Sequence, residues 1–231
     1  MATPPTRVQS VATVYNTAAS KTTSSFSVLA GDILTARAIA ESNGATFTIS
    51  GGSLTWALQQ NVNITDYCEA SVWTATVDVD KSMTVTVDDT GPPDFFFGAR
   101  VTTWRGSDGV GASAKTNVAS GAPSLALTTQ ADNSAIDLGV GDWAAVDGAS
   151  RTWRSVNGSA ATEEDYFRDS ARYTLYQGYH PDAGAAGSKT VGLSAPSGQK
   201  YAIVAVEIKG AAAAATSLPF LRRFPMSILQ H

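Results

Sequence analysis

The chain has 231 residues, 43% hydrophobic and only 16% charged, with a net charge of -4 at pH 7 and a pI near 5.1. That is enough apolar sequence for the core of one large domain or two small ones, at well under the roughly 25% charge of an average soluble domain. An acidic chain whose adjacent basic pair is Arg222–Arg223 lacks the basic face of a nucleic-acid binder, and its single cysteine, Cys68, excludes an intrachain disulfide and a cysteine zinc site.

In chain order, strands are predicted over residues 7–15, 22–28, 33–40, 46–49, 54–60, 71–77, 82–87 and 95–104. Period-two alternation of β-branched and aromatic residues carries them. Cys68 falls at or just before the sixth, as a small buried hydrophobe. Trp73 and Trp104 sit within apolar alternation and are assigned to the core. Residues 106–123, rich in Gly, Ala and Ser, read as a long connection that is either functional or covers a neighbour. Beyond it, strands are predicted over residues 135–146, 152–156, 171–180, 190–193 and 201–208.

Turn chemistry separates these runs at Ala30-Gly-Asp, Asn43-Gly, Gly51-Gly, Gly91-Pro-Pro-Asp, Asn157-Gly and Pro196-Ser-Gly. No segment carries a helical stripe over more than two turns, and no repeat of fixed period stands out. The expected fold is all-β: an antiparallel β-sandwich or jelly roll over residues 1–210. The first residues show no charged-then-apolar leader, and no run reaches the length of a bilayer span. A soluble protein made in a cytoplasm, with no membrane partner, is the expectation.

Residues 211–231 form an extended C-terminal tail, an alanine spacer followed by an apolar and basic segment. Pro219 and Pro225 forbid one continuous helix there. Leu218, Phe220, Leu221, Phe224, Met226, Ile228 and Leu229 read as docking anchors for another subunit, with Arg222 and Arg223 pairing to an acidic neighbour. A tail folded back on its own domain is the alternative.

Several constellations suggest chemistry. Residues 109–116 approach a phosphate-binding loop, but Ala114 replaces its second glycine and no helix follows Thr116. His180 with Asp182 and a serine would make a hydrolytic set, although no G-x-S-x-G elbow is present. Glu163, Glu164, Asp165 and Asp169 would serve glycoside cleavage, but the interleaved Arg168 and Arg172 favour self-neutralisation on a solvated edge. Asp78, Asp80, Asp88 and Asp89 offer oxygens to calcium without the D-x-D-x-D-G loop. Trp153, Tyr173, Tyr176 and Tyr179 are the candidates for an exposed glycan-binding face. Neither catalytic residue nor cofactor is assigned.

Four motifs recur as a set: Phe26-Ser-Val-Leu-Ala-Gly-Asp, Gly51-Gly-Ser-Leu-Thr-Trp, Val72-Trp-Thr-Ala-Thr and Arg105-Gly-Ser-Asp-Gly. With the closing Ala202-Ile-Val-Ala-Val-Glu-Ile-Lys-Gly, their order resembles virion structural proteins of tailed actinobacteriophages, the minor tail proteins. The resemblance covers about residues 8–210 and excludes the tail. It implies a β-sandwich with a structural role, no catalytic residues, other virion proteins as partners, a homo-oligomer, and a location in the virion after assembly in the host cytoplasm. A capsid decoration protein and a carbohydrate-binding host-attachment module are the alternatives.

Overall fold

A computed structural model describes residues 2–41, 44, 46–64, 67–91, 95–143, 149–169 and 173–212. The tail anchors from Leu218 to Leu229 lie outside these residues. The described residues are all-β, with twenty strands, no helix, and antiparallel pairing throughout the ladders.

Strands from the first half of the chain form one large sheet in the order β1 (Thr6–Ala12), β10 (Phe97–Arg105), β4 (Ile33–Ala40), β7 (Cys68–Thr76), β6 (Ala57–Ile64). Two small sheets accompany it. One has the order β2 (Ser20–Thr22), β9 (Thr86–Asp89), β5 (Phe47–Ser50); the other pairs β3 (Phe26–Val28) with β8 (Lys81–Met83). The second half builds another large sheet, ordered β11 (Ser107–Gly121), β20 (Gln199–Gly210), β13 (Ala135–Trp143), β18 (Tyr173–His180), β17 (Thr162–Arg168). Its small sheet runs β12 (Ser124–Thr129), β19 (Gly187–Ala195), β14 (Thr152–Trp153), beside a hairpin of β15 (Ser155–Val156) and β16 (Ser159–Ala160). No sheet mixes the halves, and the change falls at Gly106.

The two halves share one topology. In each large sheet the first strand pairs with the last, the last with a central strand, and that one with a hairpin ending at the far edge. The small sheets correspond likewise, β2-β9-β5 matching β12-β19-β14. The strand order reveals this duplication, which no fixed-period repeat announces in the sequence.

Three cores follow from strand alternation. On β4, Leu34, Ala36, Ala38 and Ala40 face the first half's small sheets, packing with Phe26, Val85 and Phe97. Ile33 and Ile39, on the opposite face, join Cys68, Val72, Trp104, Leu175 and Val204 between the two large sheets. Leu138, Tyr176, Leu193 and Ile203 lie beneath the second half's small sheet. The large sheets are therefore inner layers covered on both faces, so β4 reads as a continuous buried run rather than an alternating one.

The halves meet as complements rather than as copies. Ile33 pairs with Trp104, just before Arg105-Gly106; Ala135 pairs with Ile208, just before Lys209-Gly210. Counting in twos from those pairs sets Thr35 against Asp137, Arg37 against Gly139 and Ile39 against Gly141. A Cβ on Gly139 would stand 2.8 Å from Ile39 Cδ1, and one on Gly141 2.9 Å from Ile39 Cγ2. Bulk on one half thus fills the space that glycine leaves on the other. The edge contacts also exchange: β1 meets β17 through Arg7 and Glu164, while β11 meets β6, the partners' topological equivalents. That exchange is the pattern of a two-fold relation between halves.

Several sequence expectations need correction. The stretch predicted as a long connection is β11, the longest strand of the fold. Its residues have weak strand propensity, and its tertiary setting overrides that. Ser113, Lys115 and Asn117 donate to the backbone oxygens of Gln59, Asn61 and Asn63, at 3.4 and 2.7 Å for the first two. Alternate side chains of β11 therefore cap the outer edge of β6, which would otherwise offer free carbonyls to another chain. Gly111 is required there because the Glu207 carboxylate lies 2.2 Å from where a Cβ would stand.

The strand predicted over 22–28 is split into β2 and β3, and that over 82–87 into β8 and β9. Both breaks come at one point, where Thr23 and Val85 bond backbone to backbone and Thr23 Oγ1 accepts from Val85 N. β12 and β17 were not predicted. Asn157 and Gly158 both adopt positive φ, 51° and 77°, forming the tight turn that this dipeptide favours.

Candidate functional site

The acidic run is not a solvated edge. β17 carries a bulge between Glu163 and Asp165, so Glu164 and Asp165 both point inward, against simple alternation. Glu164 accepts from Arg7 and from Arg37. Arg37 is wholly buried on β4; it also reaches the oxygens of Leu138 (3.0 Å) and Gly178 (3.2 Å) on the facing sheet and Thr102 Oγ1 (3.0 Å). Asp137 Oδ1 lies 3.0 Å from Arg37 Nη1. That nitrogen's hydrogens go to the two carbonyls, so this oxygen is neutralised by charge without a hydrogen bond. Thr35 donates to the other Asp137 oxygen and accepts from Trp104 Nε1 at 3.2 Å.

Charge balance decides the protonation states. Burial opposes the Arg37 charge, but Asp137 and Glu164 outweigh it and hold the guanidinium protonated. Burial likewise pushes Glu164 up, and Arg37 with Arg7 more than reverses this, leaving its carboxyl below the ordinary range. For Asp137 burial prevails over Arg37, raising it to about 6. Asp165 continues the seam, accepting from Tyr15 Oη at 2.8 Å and Arg100 Nη2 at 2.9 Å. These groups clamp one large sheet to the other; Glu163, on the outside, is held by Arg151 and by Trp153 Nε1 at 2.8 Å.

The hydrolytic set does not assemble around His180. The side chain is buried, and neither ring nitrogen has a hydrogen-bond partner among the described residues. Burial lowers its pKa to about 4, keeping the imidazole neutral. Asp182 instead accepts from Gly184 N at 2.7 Å. Residues 109–116 are extended within β11, so no helix N-terminus faces a phosphate there. Asp78 pairs with Lys81, Asp80 accepts from Ala30 N, and Asp89 accepts from Thr46 N and Gly91 N. Among the described residues no three acidic, histidine or cysteine side chains gather as a metal-binding group.

The predicted glycan face also dissolves. β18 lies between β13 and β17 and is covered on both sides, so Tyr173 and Tyr176 are fully buried. Their parity separates them: Tyr173 enters the core between the large sheets, and Tyr176 the core beneath the small one. Tyr179 is half-buried edge-on to Trp104 at 5.5 Å, under Arg7. Trp153 is half-buried over Gly178, where a Cβ would meet its ring at 3.0 Å. The four rings therefore form no common platform.

A different cleft opens on the outer side of the first half. Thr46 and Phe47 at β5, Leu58 and Asn61 on β6, and Ser71 and Trp73 on β7 line a space of about 140 Å³. Leu58 is 48% exposed and Phe47 is buried. Trp73 is half-buried rather than sealed in the core, because β6 is an edge strand that the small sheet only partly covers. Its Nε1 is shielded from solvent and has no acceptor among the described residues. Glu69, one pleat beyond Ser71 on the same face of β7, is buried, and its Oε2 has no partner among the described residues. Burial raises Glu69 to about 7, and the Asp89 charge acts in the same direction. Sequence reasoning missed this cleft because alternation assigned Trp73 to the core; the neighbouring polar, weakly patterned β6 was the available signal.

No protein-family model, no curated protein and no solved structure matches this chain.

Proposed function

We propose that the chain is a structural component of a tailed-phage particle, of the minor tail type, built as two jelly-roll β-sandwiches joined back to back. Numbering eight strands in each half, the large sheet runs 1-8-3-6-5 and the small one 2-7-4. This is jelly-roll connectivity with the fifth strand moved to the larger sheet. Residues 213–231 are the docking segment, with Phe220, Leu221, Phe224, Met226, Ile228 and Leu229 as anchors beside Arg222 and Arg223.

The observation that carries this reading is the destination of the charged groups. Glu163, Glu164 and Asp165, the carboxylates best placed for chemistry, are all held in ion pairs, and three of those four pairs join the halves. The resulting body is rigid with a capped edge, as suits a particle subunit. Ala211 exchanges two backbone bonds with Thr3, both at 2.9 Å, which ties the start of the alanine spacer to the body and supports taking the proposed docking segment from residue 213 onward.

The test compares the full chain with a truncation after Ala212, by light scattering alone and mixed with purified particle proteins. Mass spectrometry of particles from the culture that produces the chain accompanies it. The expected result is a folded truncation that no longer associates, and the full chain at fixed stoichiometry in particles. Association that survives truncation refutes the docking role, and a chain found only in the free lysate refutes the particle assignment.

A further inference from the structure

We propose that the cleft between β5, β6 and β7 binds one ring of a neutral sugar, with Trp73 and Leu58 as its apolar wall and Asn61 as its principal polar contact. This goes beyond the particle role and stands independently of it, since it rests on different residues.

The chemistry of the lining selects the ligand. An indole beside an exposed leucine provides a flat apolar wall, which suits the C–H face of a pyranose. The polar groups around it, Thr46, Asn61 and Ser71, are neutral, and among the described residues no lysine or arginine lines the space; Lys115 is committed to the Asn61 backbone oxygen at the strand edge. A phosphate or carboxylate would thus meet no counter-charge and would approach Glu69. Two polar atoms just behind the lining, Trp73 Nε1 and Glu69 Oε2, have no partner among the described residues. Such atoms are costly unless something completes them. A shift of the exposed Leu58 side chain would open them to a hydroxyl, which supplies either role, and a sugar presents several hydroxyls at fixed spacing. At about 140 Å³ the cleft accommodates a single ring rather than a peptide or an extended chain.

The experiment is saturation-transfer NMR on the full chain with a panel of neutral hexoses, pentoses and N-acetylhexosamines at millimolar concentration, with glucuronate as the charged control. Transfer to the C–H protons of at least one neutral sugar is expected, and none to glucuronate. Asn61→Ala, at an exposed position, should weaken that binding about five-fold, the loss that one hydrogen bond represents. Trp73→Phe, which removes the indole N–H, should weaken it similarly, with Leu58→Gln as the substitute where that variant does not fold. No transfer from any neutral sugar overturns the proposal, as does equal transfer to glucuronate or binding unchanged in the Asn61 variant. Particle association is measured separately, so either reading can fail alone.

Discussion

Replacing Arg37 with methionine tests the seam between the halves most directly. The substitution keeps an unbranched side chain on β4 and deletes the charge that Asp137 and Glu164 share. Arg7, 28% exposed at its side chain, would remain as the nearer counter-charge. Arg37 is fully buried, so solvent screening offers no relief. Removing one partner of a buried ion pair costs about 3–5 kcal/mol. With a urea slope of about 2–3 kcal/mol/M, the unfolding midpoint should fall by about 1–2 M.

The pH dependence gives a second, independent reading. Glu164's carboxyl is held low in the folded protein, so its stabilising contribution is present above its unfolded pKa and lost as pH falls through the folded one. Without Arg37 that carboxyl moves up. The gap between wild type and variant should therefore narrow from about pH 7 to about pH 4. Circular dichroism during urea titration at both pH values measures it. Adding Glu164→Gln to the variant should recover part of the loss, with a coupling of about 1–3 kcal/mol. A loss under about 1 kcal/mol, or a gap that does not change with pH, would refute the assignment of this network as the clamp.

Gly139→Ala should cost about 1–3 kcal/mol by crowding Ile39 Cδ1, and Ile39→Val, which deletes that atom, should make the pair cost less than the sum of the two; additive thermal shifts would contradict the complementary packing. Glu207 accepts from Ala112 N, Gln130 N, Ala131 N and Ser134 Oγ at 2.7 to 3.0 Å. Glu207→Ala should cost at least about 3 kcal/mol and speed hydrogen exchange at Gln130 and Ala131; unchanged exchange there would rule it out as the loop's anchor. His180 should stay neutral to about pH 4 in an NMR titration. Its contribution to stability is full above the unfolded pKa and lost as pH falls towards 4, so an imidazole titrating near its ordinary value would show it to be solvated. Asp142 has the opposite sign. Burial raises it to about 7, so stability declines as pH rises towards 7. Asp142→Asn should flatten that slope, and an unaltered slope would exclude Asp142 as its source.

Much of this fold was legible in the residues, because half-covered strands write their two faces as alternation. The runs at 33–40, 135–146 and 201–208 declared strands, found within Ile33–Ala40, Ala135–Trp143 and Gln199–Gly210, and their small and branched side chains suited close-packed layers. Asn157-Gly158 announced its turn for the same local reason. The expectation of a buried Cys68 held as well, and the thiol donates to Gly141 O at 3.0 Å. What alternation cannot carry is which of two buried faces a residue enters, and so Tyr173 and Tyr176 were read as one exposed surface. Nor does it register a bulge, so the inward turn of both Glu164 and Asp165 was invisible. The small, polar sequence of β11 became a strand only because β20 and β6 gave its backbone and side chains partners. The two-fold relation is the extreme case: Arg37 and Ile39 make sense only against Gly139 and Gly141, about a hundred positions away. Local sequence determined the strands and turns through short-range sterics and propensity. Tertiary structure decided the pairing of halves, the buried charges and the outer cleft, because complementarity belongs to two surfaces and is written in neither one alone.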